Sequence, residues 1–191
     1  MNDIFEIPQI IDLEYQKKIL DTVTDIKFPW HYMEDTTYEY KGATKLGSTP
    51  AFGHLLFSGD TRSEYLDLFT PLMITGLERC GLELVSVLRL RLGFLLNTVY
   101  PLPSFPYKHN APHTDFDIDH YTMLYYINKT DGPTVIFKET EPSEIYTPMR
   151  DIVPQKGKLA CFNGRHFHAS TCPKMTSSRI VLTMNVTATK K

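Results

Sequence analysis

The period of the apolar residues changes near position 88, and this change constrains the fold more than any other feature. From Leu88 to Leu96 a leucine or phenylalanine occupies every second position, and Arg89, Arg91 and Gly93 lie between them. Such alternation is typical of a β-strand with one buried face. We therefore expect this strand to bury its apolar side chains and to expose both arginines.

Four shorter segments downstream also have the composition of strands. They are rich in β-branched and aromatic residues, and turn signals such as Asp131-Gly132-Pro133 separate them. The segments run from Tyr121 to Ile127, from Thr134 to Lys138, from Lys158 to Asn163 and from Arg179 to Val186. The second half of the chain is therefore predicted to be all β.

The part before about residue 84 is predicted to be helical or irregular, with short strands and loops from Phe28 to Phe57. Apolar residues recur at helical spacing from about Asp12 to Ile26, with Asp12 as the N-cap. A second helical region, from about Arg62 to Cys80, contains Thr70-Pro71, which predicts two consecutive helices, the second ending at Gly81. Helices followed by about eight strands indicate a β-barrel or sandwich buttressed by helices.

Composition indicates a single globular domain. The chain has 191 residues, 42% of them hydrophobic, which is enough to bury a sizeable core. A formal net charge of −2 gives no broad field that would attract nucleic acid or an anionic membrane surface.

Three cysteines without CxxC spacing argue against a disulfide framework and a structural zinc knuckle. With no secretory signal and no apolar run that approaches roughly 20 residues, a cytoplasmic location is expected.

Residues with metal-binding chemistry stand among the predicted strands. His113 and Asp115 are two positions apart, so on an extended segment both side chains leave the same face. His166 and His168 also share strand parity, and either would suit the barrel interior. Two imidazoles and one carboxylate on one face of Fe(II) leave coordination positions open. Arg179, further along the chain, offers a planar charged fork for a carboxylate.

With these residues, the chain from about Leu88 to Val186 resembles the Fe(II)- and 2-oxoglutarate-dependent dioxygenases, specifically their prolyl 4-hydroxylase-like branch. The core of that family is a double-stranded β-helix, which is a jelly-roll or cupin-like fold. Its members carry a His-x-Asp, a distal His and a following Arg or Lys. The corresponding residues here are His113, Asp115, His168 and Arg179. A small residue follows the distal His in the family, which favours His168 over His166.

Two further segments carry the resemblance. Tyr125-Tyr126-Ile127-Asn128 and the following Gly132-Pro133-Thr134 resemble the family's Tyr-Tyr-x-Asn strand and Gly-Gly-x-Thr turn. The second Tyr of that strand often bonds the cosubstrate, so Tyr126 is a candidate for this contact. Val99-Tyr100-Pro101 resembles the segment whose Tyr lines the family's pocket, which makes Tyr100 a second candidate. Pro133 and the Pro-rich stretch from Pro101 to Pro112, a predicted rim or lid, depart from the family pattern.

The resemblance implies one oxygenase domain over residues 1–191, with a helical or irregular part over about 1–83 and a β-helix core over about 84–188. It implies that His113, Asp115 and His168 bind Fe(II), and that Arg179, with Tyr126 and Tyr100, binds 2-oxoglutarate. O2 would be the oxidant, and ascorbate is a candidate cofactor. The expected reaction is hydroxylation of a C–H bond, first of a prolyl residue in a peptide or protein, otherwise of an amino acid or small metabolite.

Other functions are also compatible with the sequence. A cupin-like sensor would bind the metal or 2-oxoglutarate without turnover, and a zinc-binding module would use the same nitrogen and oxygen ligands. A cysteine hydrolase would use Cys161 or Cys172, although neither has the context of a helix N-terminus or a nucleophile elbow. A purely structural interpretation makes residues 113–120 a polar loop and Arg179 a solvated strand end.

Overall fold

The structure is a computed structural model that describes residues 4–37, 48–97 and 109–191. Strands dominate these ranges, and both helices precede the longest strands. In chain order the elements are β1 (Phe5–Ile7), α1 (Leu13–Thr24), β2 (His31–Met33), β3 (Ala51–Ser58), β4 (Thr61–Arg62), α2 (Leu66–Arg79), β5 (Leu82–Leu96), β6 (Tyr121–Tyr126), β7 (Thr134–Phe137), β8 (Pro148–Ile152), β9 (Leu159–Asn163), β10 (His168–Ser170) and β11 (Ser178–Lys190).

Local capping chemistry sets the ends of the helices. Asp12 is the N-cap of α1, as predicted, and its side chain accepts a hydrogen bond from the Tyr15 amide at 2.7 Å. Gly81 follows the end of α2 with a φ of +66°, a conformation that favours glycine. Within the described ranges, neither helix has the length and apolarity that a membrane crossing requires.

The prediction of two helices separated at Thr70-Pro71 is wrong, because α2 continues through Pro71. An internal proline removes one helical hydrogen bond and costs about 3 kcal/mol. The apolar face of α2 offsets this cost, since burying each large apolar side chain contributes roughly 1.5–3 kcal/mol. The buried residues of that face are Phe69, Leu72, Met73, Gly76 and Leu77.

Two antiparallel sheets form a double-stranded β-helix, the jelly-roll core that the resemblance implied. The larger sheet has the strand order β1-β9-β6-β11-β5-β3-β2, with β4 paired to β3, and the smaller has the order β10-β7-β8. Side chains from both sheets meet in one apolar cluster, which includes Tyr126 of β6, Ile136 of β7 and Val181 of β11. Strands β1 to β4, which precede residue 83, belong to the larger sheet.

The central strands of the larger sheet are covered on both faces. β11 pairs with β5 on one side and with β6 on the other. On the outer face, Leu90 and Leu92 of β5 pack in the same apolar cluster as residues of α1 and α2. The prediction that Arg89 is exposed is wrong, because only 5% of it is accessible. Arg91 is half-buried. The face of β5 that carries the arginines is therefore turned to the protein interior at Arg89 and is only partly covered at Arg91.

Candidate metal centre

One β-bridge brings two distant histidines together. The His113 amide donates to the His168 carbonyl at 3.1 Å, and the His168 amide donates to the His113 carbonyl at 2.9 Å. Asp115 follows His113 by two positions, and its Oδ2 lies 3.6 Å from Nε2 of His168. One potential ligand atom from each of these residues lies within 4.8 Å of the other two, and all three residues are buried. The structure therefore gathers the histidines and the carboxylate that were predicted to form the metal site.

Backbone carbonyl groups fix which ring nitrogen carries a proton in both imidazoles. Nδ1 of His113 lies 3.0 Å from the Ala111 carbonyl oxygen, and Nδ1 of His168 lies 3.2 Å from the His166 carbonyl oxygen. Because a carbonyl oxygen only accepts hydrogen bonds, each Nδ1 must carry the proton. In the neutral form of each ring, Nε2 is then the nitrogen with the lone pair, which is the atom that can bind a metal.

Asp115 is held by a row of polar side chains across three strands of the larger sheet. Nη2 of Arg89 donates to Oδ1 of Asp115 at 2.7 Å, and Nδ2 of Asn185 donates to Oδ2 at 2.8 Å. Thr122 also donates to Oδ2, at 3.4 Å. Burial has the largest single effect and raises the pKa of Asp115, but the charge of Arg89 and the neighbouring His168 and His113 together outweigh it, and the pKa lies well below its usual value. Asp115 is therefore an anion.

The donor set fits a divalent metal ion. Nitrogen and oxygen ligands lie about 2.0–2.2 Å from such an ion, which puts two ligands at right angles about 3 Å apart. The 3.6 Å between Nε2 of His168 and Oδ2 of Asp115 is close to that separation. Two neutral imidazoles and one carboxylate are the ligands of the facial triad, which leaves the remaining coordination positions open.

A cavity joins these three residues to Arg179. The triad residues line one part of it, and Thr134 and Arg179 line another. Arg179 is 3% exposed, and it donates from Nε to the Gly132 carbonyl at 3.0 Å and from Nη2 to the Thr134 hydroxyl at 2.8 Å. No acidic side chain in the described residues pairs with it. A buried guanidinium whose partners are all uncharged suits a bound carboxylate.

Of the two tyrosine candidates for cosubstrate binding, the structure describes only Tyr126. The Tyr126 hydroxyl lies 2.8 Å from that of Thr134, and its ring centre lies 5.7 Å from Cζ of Arg179. Burial raises the pKa of Tyr126, so its hydroxyl stays neutral. Thr134, and not Tyr126, is among the residues that line the cavity. Tyr100 lies outside the described residues, as does most of the stretch from Pro101 to Pro112 that was predicted to be a lid.

His166 stands apart from the other site residues. It is half-buried, and its Nδ1 lies 3.0 Å from the Phe137 carbonyl oxygen. The small residue that follows His168 therefore selected the histidine that does lie beside His113. Arg89 and Asn185 belong to no sequence motif, so neither was predicted to belong to the site. Only the alternation of β5 pointed to Arg89, because it places this side chain on the face of the strand opposite Leu90 and Leu92.

A second, larger cavity adjoins the first. Its volume is about 590 Å³, and residues of β2, β3 and β5 and of the segment after His113 line it. Both cavities share Arg91 and Asp115 in their walls. The candidate metal centre can therefore be approached from two sides, one towards Arg179 and the other towards β2 and β3.

The stability of the metal-free protein is expected to fall as the pH decreases. Burial, with a contribution from neighbouring His168, lowers the pKa of His113 from 6.5 to about 3. Between these values the unfolded chain takes up a proton that the folded chain does not. The free energy of unfolding should therefore fall by up to about 1.4 kcal/mol per pH unit through this residue. Denaturant unfolding across this window would measure the slope, and His113→Gln should have a shallower one. Equal slopes would contradict the expectation.

Comparison with known proteins reveals similarity in fold. No protein-family model matches the sequence, and no curated protein matches it. A prolyl hydroxylase from Trichoplax adhaerens, in complex with a hypoxia-inducible factor peptide fragment, superposes with a TM-score of 0.65 and 14% identity over 98% of this chain and 84% of that one. For a Pseudomonas putida prolyl-4-hydroxylase the TM-score is 0.59, with 12% identity over 98% and 94% of the two chains.

A third solved structure is the epimerase SnoN in complex with Fe³⁺, α-ketoglutarate and nogalamycin RO. It superposes with a TM-score of 0.61 and 12% identity over 100% of this chain and 82% of that one. The chain therefore has the fold of the Fe(II)- and 2-oxoglutarate-dependent oxygenases. Proteins with this fold include both hydroxylases and an epimerase, so the fold alone does not specify the reaction.

Proposed function

We propose that this protein is an Fe(II)- and 2-oxoglutarate-dependent dioxygenase that hydroxylates a C–H bond. The observation that carries the proposal is one cavity with a triad of metal ligands in one part of its wall and a buried arginine in another. A simple metal site has no use for this arginine. A cosubstrate that chelates the metal and carries a second carboxylate would use both. The shared fold supports this assignment.

Each residue of the cavity has a role in this proposal. His113, Asp115 and His168 would hold the iron, and Arg179 with Thr134 would bind the far carboxylate of 2-oxoglutarate. When bound, iron and 2-oxoglutarate supply the oxidising chemistry, in which 2-oxoglutarate and O2 give succinate and CO2. The protein contributes two imidazoles whose Nε2 atoms are the nitrogens available to a metal, a fixed carboxylate and ligand residues that are all buried. Ascorbate is a candidate reductant.

The substrate would reach the centre through the cavity of about 590 Å³. This volume is within the range of pockets that hold small molecules. A prolyl residue of a peptide or protein is the first candidate, since one solved neighbour is a prolyl hydroxylase with a bound peptide. A small metabolite is the second, because the epimerase SnoN has the same fold. We also propose that residues 1–191 form one domain. Three free cysteines fit the reducing conditions of the cytoplasm.

Anaerobic titration of Fe(II) and 2-oxoglutarate into the metal-free protein would test the proposal. We expect a visible charge-transfer band that requires both components, and iron-dependent formation of succinate once O2 is admitted. Glutarate has both carboxylates but no keto oxygen, so it should compete with 2-oxoglutarate without producing the band. A band without succinate would indicate a sensor. Zinc binding with no response to 2-oxoglutarate would indicate a zinc module. Either result would contradict a dioxygenase.

Gly132→Ala is expected to weaken the binding of 2-oxoglutarate. A Cβ at this position would lie 2.4 Å from the Thr171 carbonyl oxygen and 3.1 Å from the Pro173 nitrogen. These are backbone atoms, so the turn must move, and its carbonyl is the one that accepts from Arg179. Losing such a hydrogen bond costs about 1.5–3 kcal/mol, or roughly 10- to 100-fold in affinity. Calorimetric titration of the Fe(II) form would measure the change.

Gly81→Ala is the matched control for this substitution. Gly81, unlike Gly132, has a positive φ, and nothing lies within 4 Å of a Cβ built there. The control should therefore lose about 1 kcal/mol of stability through backbone strain and keep the affinity for 2-oxoglutarate. If both variants lose affinity equally, a general loss of stability would explain the effect, and the role given to the Gly132 carbonyl would be wrong.

A further inference from the structure

We propose that Arg89 is a positioning residue that holds Asp115 as a one-oxygen ligand of the metal, directed towards the histidines. The inference rests on the proposed metal site. Arg89 lies on β5, and 6% of its side chain is exposed, compared with 3% for Asp115. The pair is therefore almost completely removed from water.

The two carboxylate oxygens of Asp115 have different partners. Oδ1 accepts from Nη2 of Arg89 at 2.7 Å, whereas Oδ2 is the oxygen that lies 3.6 Å from Nε2 of His168. Asn185 completes the arrangement, because its Oδ1 accepts from the same Nη2 at 3.2 Å and its Nδ2 donates to Oδ2 at 2.8 Å. These three side chains form a closed ring of hydrogen bonds, which fixes the plane of the carboxylate.

Arg89 is itself held in place. Its Cζ lies 5.3 Å from the centre of the Phe116 ring, within the range of a cation–π contact. Opposite Arg89 in the sheet is Asn185, and opposite Asn185 on the next strand is Thr122. The guanidinium therefore belongs to a row of polar residues on regular strands, which is a more rigid support than a loop would provide.

Stabilisation of the fold does not by itself explain why Arg89 and Asp115 are buried as a pair. Taking two charges out of water costs about as much as their attraction returns, and apolar replacements for buried ion pairs are often neutral or stabilising. Orientation of the Asp115 carboxylate towards the metal site explains the buried pair better. An ion held by one atom from each of the three triad residues would keep positions open for a chelating cosubstrate and for O2. A carboxylate that bound through both oxygens would take one of them, and Arg89 would disfavour this by holding Oδ1 while Oδ2 faces His168.

The affinity of the metal-free protein for Co(II) would test the role of Arg89. Arg89→Met removes the charge and keeps most of the volume, whereas Arg89→Lys keeps the charge and loses the planar fork. Residues that orient metal ligands typically contribute 10- to 100-fold in affinity, and we expect a loss of about that size in the Met variant and a smaller one in the Lys variant. Arg150→Met, which breaks the surface pair with Glu6, is the control and should bind Co(II) like the wild type.

The charge-transfer band with Fe(II) and 2-oxoglutarate provides a readout that a purely structural role would not move. Without Arg89, Asp115 would donate more charge to a bound iron, so the band of Arg89→Met should move to longer wavelength. Unchanged or tighter Co(II) binding with an unmoved band would overturn the inference and leave the metal site intact. A wild-type protein that binds no Co(II) would overturn both. If Arg89→Met does not fold, the affinity and band of Arg89→Lys decide by the same criteria.

Discussion

His168→Ala is expected to abolish the charge-transfer band and iron-dependent succinate formation. The substitution removes one of three buried donors that no other described residue can replace, because the remaining histidines lie outside the cluster. Residues that only orient a ligand contribute 10- to 100-fold in metal affinity, so losing the ligand itself should cost more than about 100-fold. Asp115→Ala should have the same effect. Titration with Fe(II) under anaerobic conditions would measure both variants.

His166→Ala is the control, because it removes an imidazole two residues away on the same segment. The backbone carbonyl of His166, which accepts from Nδ1 of His168, remains in this variant. The band and the metal affinity should therefore be close to those of the wild type. If the band persisted in His168→Ala or vanished in His166→Ala, the distal ligand would be misassigned.

Arg179→Met is expected to reduce the affinity for 2-oxoglutarate while the affinity for the metal stays unchanged. Truncating one partner of a buried, hydrogen-bonded charge pair costs 2–5 kcal/mol. A value of about 3 kcal/mol corresponds to a loss of about 100-fold. Arg179→Lys should recover only part of it, since a lysine cannot reproduce the fork that bonds both Gly132 and Thr134. Calorimetric titration of the metal-loaded variants would give both affinities.

The separation of the two affinities makes this a sharp test. Arg179 lies in a different part of the cavity wall from the triad, and its hydrogen bonds go to the β6–β7 turn and to β7. A variant that lost metal and 2-oxoglutarate together would indicate a damaged fold rather than a lost contact. Unchanged binding of 2-oxoglutarate and glutarate by Arg179→Met would contradict the proposed carboxylate site.

The triad could be predicted from the sequence because each of its members belongs to a short pattern that can be recognised without the fold. His113 and Asp115 share one short extended segment, and the small residue after His168 distinguished it from His166. Arg89 could not be assigned in this way. Its partners Asp115 and Asn185 are 26 and 96 positions away, and only the sheet brings them together. The alternation in β5 predicted one buried face, whereas Arg89 on the opposite face is buried as well.

Long-range pairing also explains why the first strands were not assigned. β1 is three residues long and pairs with β9, so its strand conformation depends on a partner near the other end of the chain. The same holds for β3, which pairs with β5 across α2. At Pro71 a local signal was misleading. A proline usually marks the start of a helix, but here tertiary packing holds α2 together through the proline.

The regular part of β11 has a consequence for how this gene can change. Arg179 and Asn185 both point to the inner face, since the pairing with β5 keeps one register from Ser178 to Asn185. Inserting or deleting a single codon between them would turn one of the two to the opposite face. Length variation in descendants of this sequence should therefore be absent from that interval and should accumulate in the connections before Ser178.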